Sequence, residues 1–178
     1  MHDDAQAARK NADAILQPKD MTKRSIEGPT SPEGVELRPV SESDLPRFYE
    51  HQLDPEAARM AAFTSRDHDA FTAHWRRIMT DDTVILRTIV VDGAVAGNIV
   101  SWEQDGIREV GYWIDKALWA TGVATRALAL YLDLVPIRPL HAHVAAHNVG
   151  SIRVLEKCGF TVSDRQTTDT EALDLELE

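Results

Sequence analysis

The chain has 178 residues, of which 43% are hydrophobic and 27% charged, a composition typical of a soluble globular protein with one domain and an appendage. Its net charge of -10 argues against a nucleic-acid partner, whose phosphates require a basic surface, and favours a cationic partner such as an amine. No apolar run approaches the roughly 18 residues of a membrane span, and the single cysteine, Cys158, suits a reducing cytoplasm rather than a disulfide framework.

Residues 1–34 differ from the rest of the chain. A short helix is compatible with the first 16 residues, but the stretch after them is polar and broken by prolines and glycines. Such a stretch buries too little apolar surface to fold by itself. We therefore predict a mobile leader or interaction arm over 1–34, followed by one folded domain over 35–178.

The predicted domain opens with one strand and three helical segments. In chain order they cover 35–40, 43–54, 55–63 and 66–80. Ser43 or Asp44 is the expected N-cap of the first helix, because a short polar side chain accepts hydrogen bonds from first-turn N–H groups. Phe71, Trp75 and Ile78 recur at i, i+4 and i+7, which predicts one buried face on the third helix.

The second half of the domain is predicted to be mainly strands. Three strands joined by Asp-Gly turns come first, at 83–92, 95–104 and 107–115. They are followed in order by a helix over 122–135, a strand over 140–147, a helix that ends at Gly159, and two strands in 161–168 and 171–178. This order predicts a mixed α/β sheet.

The segment WATGVAT, residues 119–125, connects a predicted strand to a predicted helix. A helix N-terminus presents unpaired N–H groups and a partial positive charge, and it binds phosphate where glycine or alanine leaves room. The segment has neither the G-K-S/T of a nucleotide phosphate loop nor a G-x-G-x-x-G fingerprint. It fits a phosphate cradle, but it also fits a tight strand-to-helix turn.

Three segments together carry a resemblance to a known family. They are EVGYWID at 109–115, WATGVATRAL at 119–128 and HNVGSIRVLEKCGF at 147–160. In this order they resemble the fourth strand, the pyrophosphate loop and the closing N-x-x-S-x-x-V-L-E-K-x-G-F motif of the GNAT superfamily, most closely its ribosomal-protein N-terminal acetyltransferases. The resemblance covers about 35–178. It implies a mixed α/β fold whose sheet of six to seven mostly antiparallel strands is flanked by helices and splayed between the fourth and fifth strands.

The resemblance also implies an activity. An N-acetyltransferase of this family moves an acetyl group from acetyl-CoA, its cosubstrate, to a primary amine by direct attack in a ternary complex, without a metal. The amine is a peptide or protein N-terminus or a small molecule, and a homodimer is left open. Leu155 stands where many members have a tyrosine acid, so the alternative is a catalytically silent acyl-CoA-binding module. Asp44, Glu50, Asp54 and Glu56 make the first helical region acidic, which fits a cationic acceptor or a solvated face.

The resemblance assigns the cofactor-binding residues to the three motifs. They are Trp113 and Ile114 in the strand, Trp119, Ala120, Thr121, Gly122, Val123, Ala124 and Thr125 in the loop, and Asn148 and Ser151 at the last helix. Asn148 is alternatively a plain helix cap. Ala120 and Arg126 stand where the family usually has glycine and glutamate. Ala120 is expected to be tolerated with a negative φ, and Arg126 adds a cation near the phosphates.

Three residues are candidates for catalysis. Glu109 occupies the position where many members carry the base, although a solvent-facing strand glutamate is an equal interpretation. Ser151 is implied as a donor to the leaving thiolate, against a helix-surface serine, and His143 is the second candidate base. His141, His143 and His147 are predicted to share one strand face, but they span roughly 20 Å, too far for one metal ion. We therefore predict no metal.

Overall fold

The computed structural model describes residues 34–163 and 171–178, so the predicted leader, apart from Gly34, lies outside the described residues. The described residues form seven strands and five α-helices. In chain order these are β1 Val35–Arg38, α1 Leu45–Leu53, α2 Pro55–Met60, α3 His68–Met79, β2 Ile85–Val91, β3 Ala94–Gln104, β4 Ile107–Ile114, α4 Val123–Leu134, β5 Leu140–Ala145, α5 Val149–Lys157, β6 Thr161–Val162 and β7 Ala172–Leu177. Short 3-10 helices cover Glu42–Asp44 and Lys116–Leu118.

The strands form one sheet in the order β1-β2-β3-β4-β5-β7-β6. Neighbouring strands are antiparallel except β4 and β5, which are parallel. The predicted mixed, mostly antiparallel sheet flanked by helices is therefore confirmed. Strands β3 and β4 share eight registered pairs, whereas these described strands β4 and β5 share one pair, Glu109 with His141. Beyond that pair the two strands separate, as the resemblance implies.

Each face of the sheet packs against its own set of helices. On one face Tyr131 of α4 donates to Ser101 at 2.9 Å, and the Tyr112 hydroxyl lies 3.4 Å from Ser151 of α5. On the other face α1 and α3 bury an aromatic cluster that includes Trp75, and the predicted buried face of α3 is confirmed. This division follows from the alternation of side chains along a strand. None of the described helices is long and apolar enough to cross a membrane.

The N-cap of α1 is at the predicted position, but its side chain bonds elsewhere. Asp44 occupies the N-cap position, but its side chain makes no cap hydrogen bond to α1. Instead the buried carboxylate accepts two bonds from Arg38, at 2.6 and 2.7 Å, and one from Thr88 at 2.7 Å. Burial opposes ionisation, but these bonds and the Arg38 charge outweigh it and lower the Asp44 pKa to about 2. Asp44 therefore ties β1 and β2 to the start of α1.

The strand predicted over 140–147 ends earlier, at Ala145. The backbone turns there, because the N–H of Asn148 donates to the Ala145 carbonyl at 2.8 Å and α5 begins at Val149. His147 therefore lies outside β5, with Nε2 3.2 Å from the Arg59 carbonyl, and the prediction of three histidines on one strand is wrong. The predicted strand over 161–168 is present as β6, and its part from 164 onward lies outside the described residues.

Candidate active site

The predicted phosphate cradle is a left-handed turn that opens α4. Gly122 is the N-cap, with a φ of 90° that favours glycine, and no side chain caps the helix there. The first backbone bond at this end runs from the Arg126 N–H to the Gly122 carbonyl, at 3.0 Å. The N–H groups of Val123, Ala124 and Thr125 precede that bond and have no intrahelical acceptor. A helix start of this kind can hold an anion.

Ala120 has a φ of 59°, so the condition under which it was expected to be tolerated, a negative φ, is not met. The chain has to turn from the 3-10 helix at Lys116–Leu118 into α4 within a few residues, and it does so with left-handed residues at 120 and 122. For a residue with a Cβ this conformation costs about 1–2 kcal/mol. The loop is held by Trp119, whose Nε1 donates to the Ile114 carbonyl at 3.1 Å.

Ion pairs join this loop to the first two helices. Arg47 of α1 lies 2.6 Å from Asp115, and Asp115 in turn accepts the Ala117 N–H at the start of the 3-10 helix. Lys116 pairs with Asp54 at 3.2 Å and also with Glu56. The acidic side chains of the first helical region are therefore engaged by cations of this chain, and Glu50 is likewise paired, with Arg47. These pairs argue against that region as the site of a cationic acceptor.

Asn148 caps α5 and is fully buried. Its Oδ1 accepts the Ser151 N–H at 3.1 Å, so the interpretation as a helix cap holds. Its Nδ2 is buried and has no hydrogen-bond partner among the described residues. A buried donor without a partner costs about 1–3 kcal/mol, and a carbonyl of a bound ligand would satisfy it. Asn148 therefore fits both of its predicted roles.

Ser151 is fully buried, so it is not a helix-surface serine. Its Oγ lies 3.4 Å from the hydroxyl of Tyr112 on β4. Burial raises the Tyr112 pKa well above its ordinary value, which keeps the phenol neutral and able to donate. Tyr112 was not among the site residues predicted from the sequence. The available signal was the alternation of side chains along β4. Because Tyr112 alternates with Gly111 and Trp113, its side chain points to the sheet face that packs against α5, where Ser151 lies.

Both candidate bases lie on the opposite face, beside the split. Glu109 is half-buried on β4, in register with Trp102 on one side and His141 on the other. His143 is two residues further along β5, on the same face. Its Nδ1 lies 2.6 Å from Oδ1 of Asp174 on β7. The structure thus brings Glu109 and His143 to the two edges of the split, and it adds Asp174, which sequence reasoning missed.

A cavity of about 60 Å³ opens on the face that carries Glu109. Aromatic side chains dominate its lining, and Trp113 of β4 forms part of the wall together with Arg66 and His74. Its volume corresponds to on the order of four water molecules. Burial and the charges of Arg66 and Arg77 lower the His74 pKa to about 3, so this imidazole is neutral near pH 7. The cavity has the size and position to receive part of an acceptor.

Cys158 is half-buried between α4 and α5, where its Sγ lies 3.6 Å from the Thr125 carbonyl. Burial raises its pKa to about 11, which makes the thiol a poor nucleophile. Among residues 34–163 and 171–178, no cluster of three histidine, cysteine or acidic side chains has the arrangement to hold a metal ion.

The sheet thus splits between β4 and β5, with the open start of α4 on one face and the side chains of Glu109 and His143 on the other. The acetyltransferase (GNAT) domain family matches residues 35–161. The chain therefore belongs to the GNAT acetyltransferase family, and the resemblance found in the sequence is confirmed.

Similar proteins agree with this assignment. The probable N-acetyltransferase YjcK of Bacillus subtilis (strain 168) is 40% identical over 55 residues, which are 29% of this chain and 30% of that protein. The fold is similar to that of spermidine N-acetyltransferase from Vibrio cholerae, solved with CoA and spermine, with a TM-score of 0.71 and 14% identity over 80% of this chain and 94% of that one. It is also similar to Mycobacterium smegmatis RimJ, solved with CoA-disulfide, with a TM-score of 0.63 and 20% identity over 82% and 83% of the two chains.

Proposed function

We propose that the protein transfers an acetyl group from acetyl-CoA to a primary amine, by direct attack of the amine on the thioester while both are bound. The observation that carries this proposal is the open start of α4 at Gly122, next to the split between β4 and β5, in a chain of the GNAT family. The CoA ligands bound to its structural relatives support the same cosubstrate.

The residues present fit acetyl-CoA. The N–H groups of Val123, Ala124 and Thr125 would hold the pyrophosphate, and the Asn148 Nδ2 would donate to a carbonyl of the pantetheine arm. The remaining loop residues that we assign to the cofactor are Trp119, Ala120, Thr121 and Gly122. Backbone groups of β4 at Trp113 and Ile114 would pair with the pantetheine arm, and an N–H there would stabilise the oxyanion.

The acceptor has to reach the thioester as a neutral amine. An α-amino group has a pKa of about 8 and a lysine of about 10.4, so either is largely protonated at pH 7. Glu109 is the proposed proton acceptor, because it stands at the last residue pair before the split. Ser151, supported by the Tyr112 hydroxyl at 3.4 Å, would donate a hydrogen bond to the leaving thiolate.

The identity of the amine is a separate question from the reaction. A peptide or protein N-terminus is suggested by the resemblance of the three motifs to ribosomal-protein N-terminal acetyltransferases. A small-molecule amine is the second candidate, since the spermidine N-acetyltransferase of similar fold was solved with spermine. The homodimer and the cytoplasmic location stay predictions.

An acetyl-CoA thiol-release assay against pooled amines and N-terminal peptides tests this function. We expect CoA release that depends on the amine, and a kcat about 10²–10⁴-fold lower in Glu109→Gln with acetyl-CoA binding retained. Glu103→Gln is the matched control, because Glu103 is an exposed carboxylate on the adjacent strand of the same hairpin. Tight acetyl-CoA binding without turnover on any amine would instead identify the silent acyl-CoA-binding module.

A further inference from the structure

The proposed reaction requires two protons to leave the acceptor nitrogen. A protonated primary amine carries three N–H protons and the amide product keeps one. As the C–N bond forms and the C–S bond breaks, one of the two released protons ends on the CoA sulfur and the other passes to solvent. One base at the split accounts for only one of these transfers at a time. A second proton acceptor on the same face would therefore be useful to the reaction.

His143 and Asp174 form a hydrogen-bonded pair at that place. They are registered partners on β5 and β7, with Nδ1 and Oδ1 2.6 Å apart, and their side chains are 24% and 21% exposed. A carboxylate only accepts hydrogen bonds, so the proton of this bond is carried by Nδ1. In the neutral imidazole, Nε2 is then the nitrogen that takes up a proton. Within 34–163 and 171–178, the registers place Asp174 and Glu176 of β7, His141 of β5 and Glu109 of β4 on the same sheet face as His143.

A second histidine–carboxylate pair on the same two strands, His141 and Glu176, lacks the hydrogen bond that joins His143 to Asp174. His141 and Glu176 are also registered partners, but His141 Nδ1 and Glu176 Oε2 are 3.7 Å apart, beyond hydrogen-bond distance. Glu176 instead accepts from the Ser163 hydroxyl at 2.9 Å. His141 is 9% exposed, against the more open His143 side chain. Of these two pairs, His143–Asp174 is the one in which a carboxylate lies within hydrogen-bond distance of the imidazole.

We propose that Asp174 is a positioning residue that holds His143 in the tautomer and orientation needed to accept one of the two protons from the acceptor amine. Glu109 on β4 and His143 on β5 then lie on the two sides of the split, and each accepts one of the two protons. This inference rests on the proposed function and extends it, because it assigns the second proton transfer and names the residue that prepares His143 for it.

The test compares substitutions within the two His–carboxylate pairs in the full-length protein, using an amine on which the wild type turns over. Asp174→Asn keeps the shape but loses the charge, and we expect kcat to fall about 10–1000-fold with acetyl-CoA affinity and the KM for the amine nearly unchanged. The acidic limb of the pH–rate profile should shift with it. Asp174→Glu should restore part of the rate, and Glu176→Gln, the matched control on the same strand, should keep the wild-type kcat.

The double variant His143→Gln/Asp174→Asn separates positioning from an independent effect. Because Asp174 acts through His143, the double variant should be no slower than His143→Gln alone. Wild-type kcat and an unshifted pH profile in Asp174→Asn overturn the proposal, as do additive losses in the double variant. Should Asp174→Asn fail to fold, a wild-type kcat in His143→Gln overturns it equally. A wild type that binds acetyl-CoA but acetylates no amine refutes the proposed function itself, and this inference with it.

Discussion

Gly97 on β3 supports the part of β4 that we assign to the acyl group, and Gly97→Ala should disturb it. An added Cβ would overlap the Trp113 carbonyl oxygen and lie 2.9 Å from its carbon and 3.1 Å from the Ile114 Cα. Carbon atoms pack at about 3.5–4.0 Å, and the overlap with the carbonyl oxygen is tighter still, so β4 has to move by roughly 1 Å or more at these two residues. A misplacement of about 1 Å lowers the rate of a positioned reaction about 100-fold, and overpacking costs about 1–3 kcal/mol.

The measurements are kcat/KM from the thiol-release assay and the free energy of unfolding from urea titration. We expect Gly97→Ala to lose about 100-fold in kcat/KM and about 1–3 kcal/mol in stability. Gly106→Asn is the control, because an added Cβ at Gly106 meets no atom within 4 Å and asparagine tolerates the left-handed backbone there. Wild-type kinetics and stability in Gly97→Ala would refute the idea that the close contact between Gly97 and the backbone of Trp113 and Ile114 positions β4.

Two further substitutions test the cofactor loop and the start of α1. Gly122→Val should abolish the stabilisation by acetyl-CoA, about 2.7 kcal/mol at 100 times Kd in the wild type, and an unchanged thermal shift would contradict the phosphate cradle. Asp44→Asn should cost about 2 kcal/mol in urea at pH 7, because the folded pKa is about 2 and the ordinary value is 3.8. That stability is present above pH 3.8 and lost as the pH falls through 2, so a difference that does not shrink in acid would contradict the Arg38 pairing.

The elements that local patterns specify were predictable from the sequence. Alternating side chains and Asp-Gly turns locate β2, β3 and β4, and the period of the apolar side chains locates α3. Each of these signals lies within a dozen residues of the chain. The sheet order and the split needed the resemblance to a family, because strand pairing between distant segments leaves no local mark.

The parts of the candidate site that were missed depend on contacts between distant residues. Tyr112 and Ser151 are 39 residues apart, and His143 and Asp174 are 31 apart. The left-handed Ala120 was missed for another reason, since alanine carries no sign of an unusual φ and the geometry is imposed by the turn around it. Asp44 occupies the predicted N-cap position, but the bonds of its side chain to Arg38 and Thr88 depend on packing between distant elements.

The packing of Cys158 against α4 has a practical consequence for measuring the enzyme. A thiol-specific reagent that follows CoA release also reacts with protein thiolates, and this chain has one cysteine. With a pKa of about 11, the Cys158 thiol is ionised in only roughly one molecule in a thousand at pH 8. The protein should therefore add little background colour while folded, and a slow rise in signal without acetyl-CoA would report opening of the α4–α5 contact.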